Sequence, residues 1–345
     1  MTVSIEEYAF ELPAELIANE PLEVRSASRM LTVDRTAESF DDARFDELPQ
    51  FLRRGDVLVL NNTRVFPARL IGMSSTGARV EIFLIERTGE NRWKALAKPA
   101  KRLSAGKSVK FSDELSAVVE GRADDGSVVL EFQCTGDLDD AIDRVGRTPF
   151  PPYIKRPENL PDGDRERYQT VYAKQRGAIA APTAGLHFTS EILAALENAG
   201  VVIAEITLHV GYGTFEPIRV DDLSRHSVQP ERYTIDPATS DLLNAARSDR
   251  RRIIAVGTTS TRALESNYKK HGNFTPASEL ASLTILPGTN ISSIDGMITN
   301  FHLPKSSLLV LVSSFAGRDL IMRAYKHAVE ERYRFYSYGD CMLIL

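Results

Sequence analysis

The chain has 345 residues, of which 43% are hydrophobic and 26% charged, and carries a formal net charge of −5. Its length allows one large domain or two ordinary ones of ~100–200 residues; its composition excludes a long disordered chain, and its acidic balance confines any polyanion-binding surface to local patches. Two cysteines, Cys134 and Cys341, are too few for a disulfide framework or a cysteine-rich zinc cluster.

At the start, MTVSIEEYAF lacks the basic and apolar segments of a leader. The longest apolar run, Leu308 to Val312, is far shorter than the roughly 20 residues a membrane span needs. A cytoplasmic protein without membrane contact is the expectation. PAELIANEPLEVR then reads as helical and polar.

From about Gly55 to Gln133, short alternating runs (VLVL, ARVEIFLIE, WKALAK, SAVVEG, SVVLEF) are separated by SSTG, RTGEN, LSAG and ADDG, which predicts a small antiparallel β-barrel. Proline-rich TPFPPYIKRPENLPDG marks its downstream border. Two stretches here are locally basic: Lys98, Lys101, Arg102 and Lys107 in the first, Arg144 and Arg147 in the second, with Phe150 and Tyr153 close by. Such residues hold phosphates and stack on bases; a solvated charged face fits either run equally well.

From about Tyr168 the texture becomes strand, turn, helix: AIAA through PTAGLHFT to EILAALENAG, then VVIAEITLHV, then RRIIAVG through TTST into RALESNYKK, then TNFHLP before SSLLVLVSSFAG. The alternation predicts a large α/β domain with partly parallel pairing. Three of its turns place hydroxyls, glycine or proline, and a His or Arg at a helix start, where free backbone N–H groups and the helix dipole suit an anion. Caps explain one such turn; three in one domain favour a ligand crevice beyond the strand ends.

GxxxxGK[ST], GxSxG, HExxH and GxGxxG are all absent, so nucleotide-triphosphate, hydrolase-elbow, zinc-protease and dinucleotide readings fall away. The histidines form no close metal-ligand pair, and no metal is expected. His187, His209 and His302 lie at strand ends or turns, where an acid or base is useful and a structural histidine is as common. DGMITNFHLPKSS gathers Asp295, Asn300, His302 and Lys305. YRFYSYGD offers alternating aromatics, either a buried strand or a stacking wall with Asp340 at its end.

These stretches, with SRMLTVDR, RRGDVLVLNNTRVFPARL, RYQTVYAKQRGAIAAPTAGLHFT, ITLHVGYGTFEPI and AVGTTSTRALES, run in one order over nearly the whole length. Together they resemble the S-adenosylmethionine:tRNA ribosyltransferase-isomerase family of queuosine biosynthesis. The resemblance implies a large α/β catalytic domain, 1–62 and 151–345, with a smaller β-barrel domain, 63–150, inserted. It implies transfer of the ribosyl part of S-adenosylmethionine to 7-aminomethyl-7-deazaguanine at the wobble position of tRNAs with GUN anticodons. The ribose rearranges to give epoxyqueuosine, and adenine and methionine leave. S-adenosylmethionine is then a consumed co-substrate, with no cofactor, and the chain is expected to be a monomer.

Matched to that chemistry, His187, Asp295 and His302 are the candidates for proton traffic, their roles unassigned. Thr183, Gly185, Thr258, Thr259 and Arg262 are candidates for the methionine carboxylate or a tRNA phosphate. Asn300 and Asp340 are candidates for reading purine edges and Tyr338 for stacking. Two departures stand out: Gln229 in VQPE, where the family usually has a histidine, and Ala43–Leu48, which lacks one before its Phe. The rival readings are a catalytically silent RNA-binding protein and an S-adenosylmethionine-dependent transferase acting on a small molecule.

Overall fold

The computed structural model describes residues 3–151, 153–154, 156, 163, 165–211, 218 and 220–345, apart from the Arg102 side chain. Most of GYGTF and part of the proline-rich stretch therefore lie outside the described residues, as does the expectation placed on Arg102.

The chain forms two compact units: Met1–Arg64 with Gln169–Gln175 and Ala181–Leu345, and Val65–Tyr168 with Arg176–Ala180. The stretch from Pro151 to Tyr168 therefore goes with the smaller unit, where the sequence reading placed it with the larger. Tyr168 is fully buried and meets the Phe150 ring at 5.1 Å, while Arg165 donates to the Asp143 carbonyl at 2.8 Å.

In chain order the strands begin with β1 (Arg29–Asp34), β2 (Ser39–Arg44), β3 (Val57–Asn61) and β4 (Thr63–Val65). The smaller unit follows with β5 (Arg69–Ser74), β6 (Arg79–Arg87), β7 (Arg92–Lys98), β8 (Ser108–Lys110), β9 (Leu115–Arg122), β10 (Val128–Cys134) and helix α1 (Leu138–Val145). After β11 (Gln175–Ala178) come α2 (Ser190–Asn198), β12 (Val202–Leu208), β13 (Glu231–Ile235), α3 (Pro237–Ser248) and β14 (Ile253–Val256). The chain ends with α4 (Thr258–His271), β15 (Ala277–Ala281), β16 (Gly296–Asn300), α5 (Ser307–Ala316), α6 (Arg318–Glu330) and β17 (Cys341–Ile344).

In the smaller unit six strands close an antiparallel barrel in the order β10-β7-β6-β5-β8-β9. Alternation dictates it: Val80, Ile82 and Leu84 on β6 are fully buried while the residues between them face outward, as period-2 strands require. VLVL does not join this barrel. As β3 it is an interior strand of a nine-stranded sheet, β15-β13-β12-β3-β14-β16-β17-β1-β2, paired in parallel with both β12 and β14. An unbroken apolar run suits a strand covered on both faces, and β3, β14, β16 and β17 are buried at every position.

The N-terminal segment is not α-helical. It forms short 3-10 turns at Ile5–Tyr8, Ala14–Leu16 and Arg25–Ala27, because Pro13 and Pro21 interrupt it and no apolar stripe of helical period runs through it. YRFYSYGD is not a strand either. It is a loop whose Tyr333 and Phe335 are buried and whose Tyr336 takes a φ of +76°, which ends any extended run.

Candidate active site

Strands β14 and β16 are parallel neighbours in register Val256↔Ile298, so their carboxyl ends open on one edge of the sheet. There β14 turns through Gly257 into α4, and β16 runs out through Phe301 and His302 towards α5. Gly257 sits at φ +94°, a region that disfavours any Cβ, which lets the chain reverse directly from strand into helix. The stretch Thr183–His187 is a 3-10 turn at the same edge, and the capped α-helix begins only at Ser190, with Thr189 accepting from Ile192 N–H.

These three turns enclose a cleft lined by, among others, Thr183, Thr258, Thr259, Asn300, His302 and Tyr336. About 580 Å³ of space free of protein atoms lies in and over it, open solvent at its mouth included. Thr183, Thr258, Thr259, Asn300 and His302, which stand at three separate turns in the sequence, thus share one lining.

The polar groups on this wall are incompletely used. The Asn300 amide donates to Tyr336 O at 3.0 Å and to His187 Nε2 at 3.2 Å, which fixes its orientation. Its buried Oδ1 is left without a donor among the described residues. His302 pairs Nε2 with Thr299 Oγ1 at 2.9 Å, and the Thr299 hydroxyl also reaches Asn300 O at 3.3 Å. From this network we assign the ring proton to Nε2, which leaves the Nδ1 lone pair without a partner among the described residues. Burial pulls the His302 pKa down to about 3, so the ring is neutral near pH 7.

Thr258 and Thr259 open α4, a helix without a side-chain cap, and their hydroxyls make no hydrogen bond among the described residues. The first amides of a helix have no partner inside it. Tyr336, which the sequence reading passed over in favour of Tyr338, lines the cleft, and burial pushes its phenol up to about 12. Tyr338 is buried away from the lining.

Four sequence candidates have other occupations. His187 is buried behind Asn300: its Nδ1 lies 2.7 Å from Ser28 Oγ and its Nε2 accepts from Asn300, so neither nitrogen is free to move a proton. Burial first, then the positive charges of Arg334 and Arg25, pull it down to about 3. Asp295 lies at the amino end of β16, five strand steps of ~3.3 Å from Asn300. There its carboxylate accepts from Ile253 N–H at 2.9 Å and faces Arg247 at 3.3 Å. Asp340 spends both oxygens on backbone N–H groups, of Arg29 at 2.9 Å and Arg334 at 2.7 Å, and so ties the last loop to β1. Gly185 is a packing glycine, since a Cβ there would press on Tyr172 and come within 2.8 Å of the Thr170 methyl.

Arg262 pairs with Glu231 beside the cleft. In the smaller unit Lys98 and Lys101 are exposed, Lys107 is half-buried, and Arg144 is paired with Glu114 at 3.1 Å. Arg147 is half-buried, with its backbone bridged to that of Arg69. Phe150, offered for base stacking, already meets Tyr168 and the Arg156 guanidinium at 5.5 Å. Among the described residues no group of three or more His, Cys, Asp or Glu side chains is placed to hold a metal, and no helix is long and apolar enough to cross a membrane.

Residues 5–344 match the family described as queuosine biosynthesis protein. The S-adenosylmethionine:tRNA ribosyltransferase-isomerase of Desulforamulus reducens is 44% identical over 345 residues, covering 99% of this chain and 100% of that one. Its counterpart from Geobacter metallireducens is 46% identical over 343 residues and 99% of each chain. The crystal structure of the S-adenosylmethionine tRNA ribosyltransferase of Thermotoga maritima superposes with a TM-score of 0.56 at 37% identity, covering 98% of this chain and 100% of that one.

Proposed function

The chain belongs to the queuosine biosynthesis family of S-adenosylmethionine:tRNA ribosyltransferase-isomerases, and we propose that the cleft at the carboxyl ends of β14 and β16 is where it carries out the family's reaction. The enzyme transfers and isomerises the ribosyl moiety of S-adenosylmethionine onto 7-aminomethyl-7-deazaguanine at the tRNA wobble position. Epoxyqueuosine forms, and adenine and methionine are released.

One observation carries the placement: acceptors and donors left over at one wall, Asn300 Oδ1, His302 Nδ1 and the start of α4. A buried polar atom without a partner costs about 1–3 kcal/mol, a cost that a ligand group removes on binding. The sulfonium acidifies the C5′ protons, and the attacking aminomethyl group must lose a proton before it is nucleophilic. His302, held neutral by burial, presents an Nδ1 lone pair to this wall; the same burial makes it a weak base, so it accepts a proton only where the bound substrate steadies the imidazolium. Asn300 Oδ1, an acceptor of fixed direction, fits the exocyclic amine of a purine. Asp295 and Asp340 have no part in this reading, and His187 acts only by holding Asn300.

We further assign the tRNA contact to Lys98, Lys101 and Lys107, with Arg102, Arg144 and Arg147, and infer tRNAs with GUN anticodons, a cytoplasmic monomer and no metal or resident cofactor. If six such side chains neutralise phosphates, tRNA affinity drops by ~10³-fold or more between low and moderate salt; a flat response removes these residues from the interface.

The test is incubation with S-adenosylmethionine and a tRNA carrying 7-aminomethyl-7-deazaguanine, followed by mass spectrometry of nucleosides and quantitation of adenine. Epoxyqueuosine and adenine in equal amounts are expected from the wild type. Asn300→Ala is expected to lose most of that turnover; normal turnover by a folded Asn300→Ala protein places the site elsewhere.

A further inference from the structure

Next to this cleft lies a second, lined by Gln229, Glu231 and Arg262 and sharing Thr258, Thr259 and Leu308 with the first. The geometry points to this second compartment as the seat of the co-substrate's amino-acid end, its carboxylate on Arg262 and the start of α4, its ammonium towards Glu231 and Gln229. The inference rests on the placement of the reaction in the adjoining cleft.

The argument begins with charge. Glu231 and Arg262 are 4% and 12% exposed at their side chains and are bonded to each other, Arg262 Nη2 donating to Glu231 Oε2. Glu231 Oε1 accepts from Gly211 N–H at 2.8 Å. A buried pair of this kind is neutral as a whole. A lone anion entering it meets Glu231, a lone cation meets Arg262, and each faces the cost of an unbalanced buried charge. A zwitterion brings both signs and leaves the balance unchanged, which separates an α-amino-acid head from a tRNA phosphate.

Hydrogen-bonding capacity points the same way. The Arg262 guanidinium spends Nη2 on Glu231, while its buried Nε has no acceptor among the described residues. A buried guanidinium N–H without an acceptor is a charge-assisted donor of fixed direction for one carboxylate oxygen, a fixed direction that a lysine ammonium does not offer. Thr258 and Thr259 stand on the common wall with free hydroxyls, at the end of a helix that favours negative charge. Gln229, on the same lining, gives the ammonium an acceptor whose charge does not change with pH.

The experiment compares S-adenosylmethionine with decarboxylated S-adenosylmethionine, which carries the same ribosyl group and yields the same modified nucleoside. For the wild type, KM for the decarboxylated compound is expected to be ten- to a hundredfold higher, as loss of a charge-assisted hydrogen bond implies, with kcat little changed. Arg262→Lys keeps a cation beside Glu231 and so protects the fold. It is expected to raise KM for S-adenosylmethionine about tenfold while leaving that for the decarboxylated compound within about twofold. Equal KM values in the wild type, or an equal loss for both compounds in Arg262→Lys, overturn the assignment. An Asn300→Ala enzyme with full turnover instead overturns the placement in the adjoining cleft, and the amino-acid seat with it.

Discussion

The two ends of the central parallel strands carry similar residues in opposite states. At the amino ends of β3 and β14 the carboxylates are all answered, although Arg247 Nε is left over: Arg252 meets the Asp56 carboxylate at 3.0 and 2.5 Å, and Asp295 is held by Ile253 N–H and Arg247. At the carboxyl ends, Asn300 Oδ1, His302 Nδ1, two threonine hydroxyls and Arg262 Nε are left over. Residue type alone does not separate them, since acids and cations occur at both. Unspent hydrogen-bonding capacity gathered on the lining of one cleft does, because a single bound molecule can fill it.

The contrast breaks most visibly at His302. Replacement by alanine is expected to lower kcat by about 10²–10⁴-fold, the usual contribution of a proton-transferring side chain, with the fold kept. Adenine release and thermal unfolding measure the two sides. Turnover within threefold of wild type would make the free Nδ1 incidental.

Next in size is the response of stability to acid. His187 and His302 are held at about 3 by burial, while the unfolded chain takes up those protons below about 6.5. Between these values the unfolded state binds more protons, so stability falls as pH falls. Each histidine contributes about 1.4 kcal/mol per pH unit, and a loss on the order of 3 kcal/mol is expected between pH 5.5 and 4.5. Urea unfolding at the two pH values checks it; replacing either histidine by glutamine should remove about half of the slope.

His187 comes third and separates positioning from chemistry. His187→Ala leaves Ser28 and the Asn300 amide short of a partner and is expected to cost about 1–3 kcal/mol of stability. Turnover should fall because Asn300 loses its fixed direction, by less than in His302→Ala and with an unchanged pH profile of kcat. A profile that loses an ionisation in His187→Ala would return this residue to the proton path.

What the sequence made legible follows from how local each signal is. The barrel shows in β6 because alternation is a property of neighbouring residues. The crevice shows in PTAG, GTTST and TNFH because hydroxyls beside a helix start can be read within a few positions. The role of His187 does not show: Ser28 lies 159 residues away and Asn300 lies 113 away, and only the folded sheet brings them to the ring. Asp340 is answered by an N–H 311 residues away, from Arg29. Alternation puts Tyr336 and Tyr338 on one face, and only the folded loop, with Tyr336 at φ +76°, separates the tyrosine on the cleft lining from the one off it.

Asp295 is the smallest and sharpest test. It stands five residues from Asn300 in sequence, carries the acid that proton transfer calls for, and lies at the other end of the same strand. Asp295→Asn keeps an oxygen for Ile253 N–H and removes only the charge opposite Arg247, in a pair whose side chains are 36% and 27% exposed. An ion pair this open to water is worth about 0–1 kcal/mol, so the midpoint of urea unfolding should move little. Turnover should stay within about twofold, because uniting the two ends would take a reach of ~16 Å along the strand. A tenfold loss of kcat at unchanged stability would mean that the amino end takes part in the chemistry, and the division between a spent end and an unspent end would no longer mark where the reaction occurs.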